Sequence, residues 1–136
     1  MEKYFKDRVV FITGSSKGIG KATALLFGSY GARVCINGRN IESLEETYGE
    51  LQAKGVDCLR LPGDVSDSSR CREMIDEIIN KYGRLDVLIN NAGIGSHGRF
   101  SELSVGSWDK VVGINLMGPV YMSSYALPHL LETGGS

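Results

Sequence analysis

Gly14, Gly18 and Gly20 fall close together in Thr13-Gly14-Ser15-Ser16-Lys17-Gly18-Ile19-Gly20. Glycine lets backbone come close to a bulky anion. A helix that starts there turns its first unpaired N–H groups and its positive dipole end toward the same point. The ligand such a turn suits is a phosphate ester. Further along come a second small-residue segment, Asn90-Asn91-Ala92-Gly93, an acidic pair-step Asp64-Val65, and Asn115. Two cations bear on the same ligand: Lys17 lies within the first turn, and Arg39 lies in Asn37-Gly38-Arg39-Asn40 at the end of the second strand candidate.

These residues need elements to hold them. Arg8-Val9-Val10-Phe11-Ile12 is an apolar run ending at the glycines and reads as a strand, and Ala22, Leu25, Leu26 and Ser29 then keep helical spacing as far as Gly31. Val34-Cys35-Ile36 reads as a second strand. Ile41, Leu44, Tyr48 and Leu51 mark a second helix closed by Gly55, with Glu42, Glu45 and Glu46 early and Lys54 late, as the helix dipole favours. Cys58-Leu59-Arg60-Leu61 alternates as a third strand. A third helix follows Asp64-Val65-Ser66-Asp67 and carries Met74, Ile75, Ile78, Ile79 and Tyr82 on one face. Val87-Leu88-Ile89 is apolar throughout, the pattern of a parallel strand buried on both faces. Residues 107–131 read as helix, interrupted at Gly118-Pro119. Pro119 has no N–H to give the Asn115 carbonyl, so a kink is expected between them.

Strands separated by helix-length crossovers pair in parallel through right-handed connections. The fold class is therefore α/β: a doubly wound, Rossmann-type parallel sheet of order 3-2-1-4, stopping before a fifth strand. Such sheets bind ligands at the switch point, here between the first and fourth strands, and both glycine segments follow those strands.

Composition narrows the function classes. The 136 residues suit one domain, 1–136, and a compact chain of that length buries about 68% of its unfolded surface. A net charge of −1 supplies no long-range field for nucleic acid or an anionic membrane. The charged start Met1-Glu2-Lys3-Tyr4-Phe5-Lys6-Asp7-Arg8 lacks the apolar centre of a signal peptide, and no apolar run reaches membrane-spanning length. Cys35, Cys58 and Cys71 are odd in number and form no Cys-x-x-Cys, which fits buried thiols in the reducing cytoplasm. His97, in a glycine-rich loop, and His129, at a helix end, join no Cys/Asp/Glu cluster, so no metal site is expected.

The order Thr-Gly-x-x-x-Gly-x-Gly, then Asp64-Val65, then Asn90-Asn91-Ala92-Gly93, then Asn115 resembles the classical short-chain dehydrogenase/reductase family across essentially the whole chain. The resemblance implies cofactor-binding roles. Gly14, Gly18 and Gly20 would approach a pyrophosphate, with Ser15, Ser16 and Ile19 lining the turn. Thr13 and Asn90 would tie the turn to the sheet. Asp64 would accept from the adenine amino group beside the Val65 N–H. Asn91, Ala92 and Gly93 would border the adenosine. Asn115 would belong to the catalytic set, supporting a proton relay. Two alternatives stay open: Asp64 as a helix N-cap, and Asn115 as a polar side chain bonded within a helix bend.

Cofactor choice follows from charge. NAD sites usually place Asp or Glu at the end of the second strand for the ribose 2′-hydroxyl. Asn37-Gly38-Arg39-Asn40 has no carboxylate, whereas Arg39 and Lys17 suit a 2′-phosphate, so NADP(H) is expected in preference to NAD(H). The family's Tyr-x-x-x-Lys is missing. Tyr4, Tyr30, Tyr48, Tyr82, Tyr121 and Tyr125 are followed at that spacing by Arg8, Val34, Gln52, Asp86, Tyr125 and His129. The expectation is the NADP(H)-binding portion of an oxidoreductase interconverting a carbonyl and an alcohol, inactive as this chain alone. The other reading is a noncatalytic NADP(H)-binding module complete as it stands. A homo-oligomer through the last helix is also expected, since apolar residues there span more than one face.

Overall fold

A computed structural model of the chain describes residues 4–136; Met1-Glu2-Lys3 of the charged N-terminal segment lie outside the described residues. The elements run β1 (Val9–Ile12), α1 (Gly18–Ser29), β2 (Arg33–Gly38), α2 (Ile41–Ala53), β3 (Cys58–Pro62), α3 (Ser68–Tyr82), β4 (Val87–Ile89), a short 3₁₀ turn (Phe100–Glu102), α4 (Val105–Val112), a π turn (Gly113–Met117) and α5 (Gly118–Thr133). The four strands form one parallel sheet of order β3-β2-β1-β4, with Phe11 level with Cys35 on one side and Leu88 on the other.

Alternation along the strands builds two cores. Val9, Phe11, Cys35 and Leu61 face Met74, Ile75 and Ile78 of α3 and Met122 and Ala126 of α5. Val10, Ile12, Val34 and Ile36 face Ala24 of α1 and Leu44 and Leu51 of α2. Successive side chains of a strand point to opposite faces, so a strand buried on both sides must be apolar at every position, as Val9–Ile12 is. All three cysteines are buried and unpaired.

β4 departs from the expected full burial. Its three residues are half-buried because it stands at the outer side of the sheet. That side is not bare along its length. After α5, Gly134 adopts φ 64°, the Gly135 N–H donates to the Leu130 carbonyl at 2.8 Å, and the chain reverses beside β4. The Ser136 N–H donates to Asp86 O at 3.0 Å and the Leu88 N–H to Ser136 O at 2.9 Å, the slanted pattern of a parallel ladder.

The expected interruption of the last helix takes the form of the π turn. The Gly118 N–H donates to the Gly113 carbonyl, five residues back. The extra residue lies just upstream of Pro119, whose missing N–H frees the ladder from α-helical register there.

Candidate functional site

A cavity of about 550 Å³ opens at the carboxyl ends of the strands, beside the neighbouring β1 and β4, where the strand order reverses. It is lined from the first glycine segment by Gly14, Ser16 and Lys17, from the end of β2 by Gly38 and Arg39, and from the loop after β3 by Asp64 and Val65. Asn91, Ala92 and Gly93 from the second segment complete the wall, with Ile114 from the π turn. The volume falls in the range of small-molecule sites.

The glycine turn is fixed by buried hydrogen bonds. Ser15 is fully buried; its hydroxyl donates to Ile12 O at 2.6 Å and accepts the Asn37 N–H at 3.0 Å. Its side chain is therefore spent on holding the turn to β2. Gly14 has φ +59°, and a Cβ there would fall 2.7 Å from Ala92 Cα, so the two glycine segments touch through backbone. A Cβ on Gly20 would strike Gly14 O and come within 2.6 Å of Asn91 Nδ2, so Gly20 seats α1 under the turn. Gly18, at φ +59°, faces open space. Ile19 is 79% exposed. Lys17 stands at the N-cap of α1, and no side chain caps that helix. Its first N–H groups are thus left without a side-chain acceptor, as an anion site at a helix N-terminus needs.

The role expected of Asn90 belongs to its neighbour. Asn90 Nδ2 donates outward to Ser123 Oγ at 3.1 Å. Asn91 holds the turn instead: its Nδ2 donates to Thr13 O at 3.1 Å and Gly14 O at 2.9 Å. The backbone past Ile89 leaves the strand, and that direction decides which asparagine turns inward. Thr13 acts as expected, its hydroxyl accepting the N–H groups of Asn91 and Ala92.

Of the two alternatives for Asp64, the N-cap is excluded, because Asp67 caps α3 by accepting the Arg70 N–H. Asp64 Oδ1 accepts from the Ser66 N–H and hydroxyl at 2.9 and 2.8 Å, and Val65 is buried beside it. Asn115, in the π turn, uses its amide on one residue. Its Oδ1 accepts the Ile94 N–H at 2.9 Å and its Nδ2 donates to Ile94 O at 2.8 Å, pinning the segment that leaves β4.

Lys17 and Arg39 are both exposed on the cavity wall, and among the described residues neither belongs to an ion pair. A Cβ on Gly38 would lie 2.8 Å from Ser16 Oγ and 2.9 Å from Ser16 Cβ, so Ser16 fills the place a side chain at the end of β2 would take. His97 lies outside the cavity lining. Among the described residues no group of three His, Cys, Asp or Glu could hold a metal ion. No helix among them is long and apolar enough to cross a membrane.

Sequence reasoning missed Asn37 as an organiser. It is 2% exposed; its Oδ1 accepts the Gly14 N–H at 3.1 Å and its Nδ2 donates to Leu61 O at 2.9 Å and Gly63 O at 3.1 Å. It ties β2 to the loop after β1 and to the end of β3 and the loop beyond it. The available signal was an amide inside an otherwise apolar strand, which must find partners when buried.

The comparisons with known proteins agree with this geometry. The short chain dehydrogenase profile matches residues 8–136. Meso-2,3-butanediol dehydrogenase of Serratia marcescens is 37% identical over 131 residues, 96% of this chain and 51% of that protein. A metagenomic short-chain oxidoreductase solved in complex with NADP superposes with a TM-score of 0.92 at 31% identity, over 97% of this chain and 60% of that one. A short chain dehydrogenase/reductase from Burkholderia phymatum, solved with NAD, gives 0.93 at 28% identity, over 100% of this chain and 48% of that one. The chain spans about half the length of the curated relatives it matches. With the sheet order, the glycine turn and the profile in agreement, the chain belongs to the short chain dehydrogenase family.

Proposed function

We propose that residues 1–136 form the NADP(H)-binding portion of a short-chain oxidoreductase that interconverts a carbonyl and an alcohol. The observation that carries the cofactor choice is the pair Lys17 and Arg39 on the cavity wall, with Ser16 packed over Gly38 where an NAD-type carboxylate would need space. The residues fit such a cofactor on three counts. The glycine turn leaves backbone accessible, α1 begins without a side-chain cap, and the cations face a cavity of about 550 Å³. NADP(H) supplies or accepts the hydride; NAD(H) is the weaker ligand on this reading.

In this reading Gly14, Ser16, Lys17, Gly18 and the first turn of α1, with Ile19 at its rim, bind the pyrophosphate. Ser15 and Gly20 fix that turn from behind. Arg39 and Lys17 neutralise the 2′-phosphate by charge-assisted hydrogen bonds. Asp64 Oδ2, with no protein hydrogen bond among the described residues, accepts from the adenine amino group beside Val65. Asn91, Ala92 and Gly93 border the adenosine. Asn115 keeps Ile94 in place, and its carbonyl, which Pro119 has no N–H to satisfy, holds a water for the proton relay. General acid chemistry needs a donor matched to the carbonyl oxygen, and the chain has no Tyr-x-x-x-Lys to supply one, so we assign no turnover to these residues alone.

Exposed Val112, Leu116, Val120 and Leu127 support self-association through α4 and α5. The three buried, unpaired thiols support the cytoplasm as the compartment. Titration calorimetry of the protein with NADPH and NADH tests the central reading. Tighter NADPH binding is expected; equal affinities would sink it.

A further inference from the structure

Thr47 occupies the middle of α2, is fully buried, and does not spend its hydroxyl on its own helix. A threonine within a helix ordinarily bonds the carbonyl three or four residues back. Here the Thr47 hydroxyl donates at 2.7 Å to the carbonyl of Ser16, in the glycine turn. Ser16 lies against Gly38 at the end of β2, and Lys17 is next in the chain. A side groove of about 210 Å³ runs between Lys17 and the first turns of α2, lined by Asn40, Glu42, Ser43 and Glu46. The Lys21–Glu50 pair at 2.7 Å joins α1 to α2 farther along the same seam.

The bond from Thr47 thus ties the turn bearing Lys17 to α2, the helix that begins just after Arg39. We propose that Thr47 is a positioning residue for 2′-phosphate selectivity, setting the Lys17–Arg39 geometry through the Ser16 carbonyl. The inference rests on the NADP(H) reading given above. It separates two parts of the cofactor. The pyrophosphate is met by the turn and the first N–H groups of α1, and Asn91 braces that turn from the β4 side through Thr13 O and Gly14 O. The 2′-phosphate is met where the turn abuts α2, and NADH has nothing to place there.

The test is the ratio of NADH to NADPH dissociation constants, by calorimetry, in the unmutated protein, Thr47→Val and Thr47→Ser. Valine keeps the shape and removes the donor; serine keeps the donor. For Thr47→Val, NADPH affinity should fall about fivefold, the worth of one neutral hydrogen bond, with NADH affinity held within about twofold. For Thr47→Ser the ratio should be kept. Equal weakening of both cofactors by Thr47→Val, or an unchanged ratio, overturns the inference. If the valine variant does not fold, loss of the ratio in Thr47→Ser, with its donor intact, overturns it equally. Equal affinities in the unmutated protein would overturn the NADP(H) reading and this inference together. An NADPH preference in the unmutated protein whose ratio Thr47→Val leaves unchanged would overturn this inference alone.

Discussion

Asn91 holds Thr13 at both ends of its own residue. The Asn91 N–H donates to Thr13 Oγ1 at 3.0 Å, while Asn91 Nδ2 donates to Thr13 O at 3.1 Å. Thr13 Oγ1 also accepts the Ala92 N–H at 3.0 Å. The ends of β1 and β4 are therefore locked by side chains just where the ladder between those strands stops, and the two glycine segments are carried as one unit. Thr13→Val keeps the volume and leaves two backbone N–H groups unanswered. We expect a stability loss of about 2 kcal/mol, the order for unsatisfied buried donors, and little change for Thr13→Ser. Urea unfolding of the two variants checks this.

Arg39→Asp should invert cofactor preference. On the proposed reading it would remove a charge-assisted contact of about 1.5–3 kcal/mol and put a carboxylate where the 2′-phosphate would sit. NADPH affinity should fall on the order of ten- to a hundredfold, with NADH affinity maintained or raised. Unchanged NADPH binding in calorimetry would remove Arg39 from the site.

Asp86 ties β4 to β1. It is 5% exposed, its Oδ2 accepts the Val9 N–H at 2.8 Å, and Arg84 grips both its oxygens. Burial pushes its carboxyl up, but the Arg84 and Val9 hydrogen bonds and the charges of Arg84 and Arg8 outweigh that and hold it below its ordinary 3.8. A depressed folded-state value means the stabilisation is fully present above the unfolded value and lost as pH falls through the folded one. Stability should thus decline below pH 3.8 more steeply in the unmutated protein than in Asp86→Asn, which keeps an acceptor for Val9 but no charge. Thermal melts between pH 7 and 2.5 give the comparison, and parallel curves would contradict it.

Leu116 and Val120 stand 57% and 45% exposed near the start of α5. If that surface joins copies of the chain, Leu116→Glu with Val120→Glu should reduce the sedimenting mass to that of the monomer, with the cofactor still bound. An unmutated protein that sediments as a monomer at high concentration would dispose of the idea.

The sheet was legible because three of its strands carry a short apolar run and β3 alternates, all between helix-length crossovers, and both glycine segments mark the switch point. What stayed hidden depends on contacts between distant segments. Asn90 and Asn91 are chemically identical neighbours, and only the path of backbone beyond Ile89 assigns the inward role to Asn91. Thr47 reads as an ordinary helix residue until α2 is laid against the turn. The interruption near Pro119 was readable from its missing N–H, but its placement upstream depends on packing. A Cβ on Gly118 would sit 2.7 Å from Val65 Cγ2, so the helix must stay close to the loop after β3.

The π turn at Gly113–Met117 also works as a phase shifter. Each α-helical residue advances about 100° around the axis, so one extra residue in a turn sets everything after it back by roughly that angle. Exposed Val105, Trp108 and Val112 precede the shift; Val120, Leu127 and Leu131 follow it. Counted at a steady 100°, the later set would drift away from the earlier one. With the setback, both fall along one meridian of the rod, opposite the side through which Ile114, Met122 and Ala126 enter the core. Excising a single residue from the turn would splay that meridian into two, although every apolar side chain in it remained.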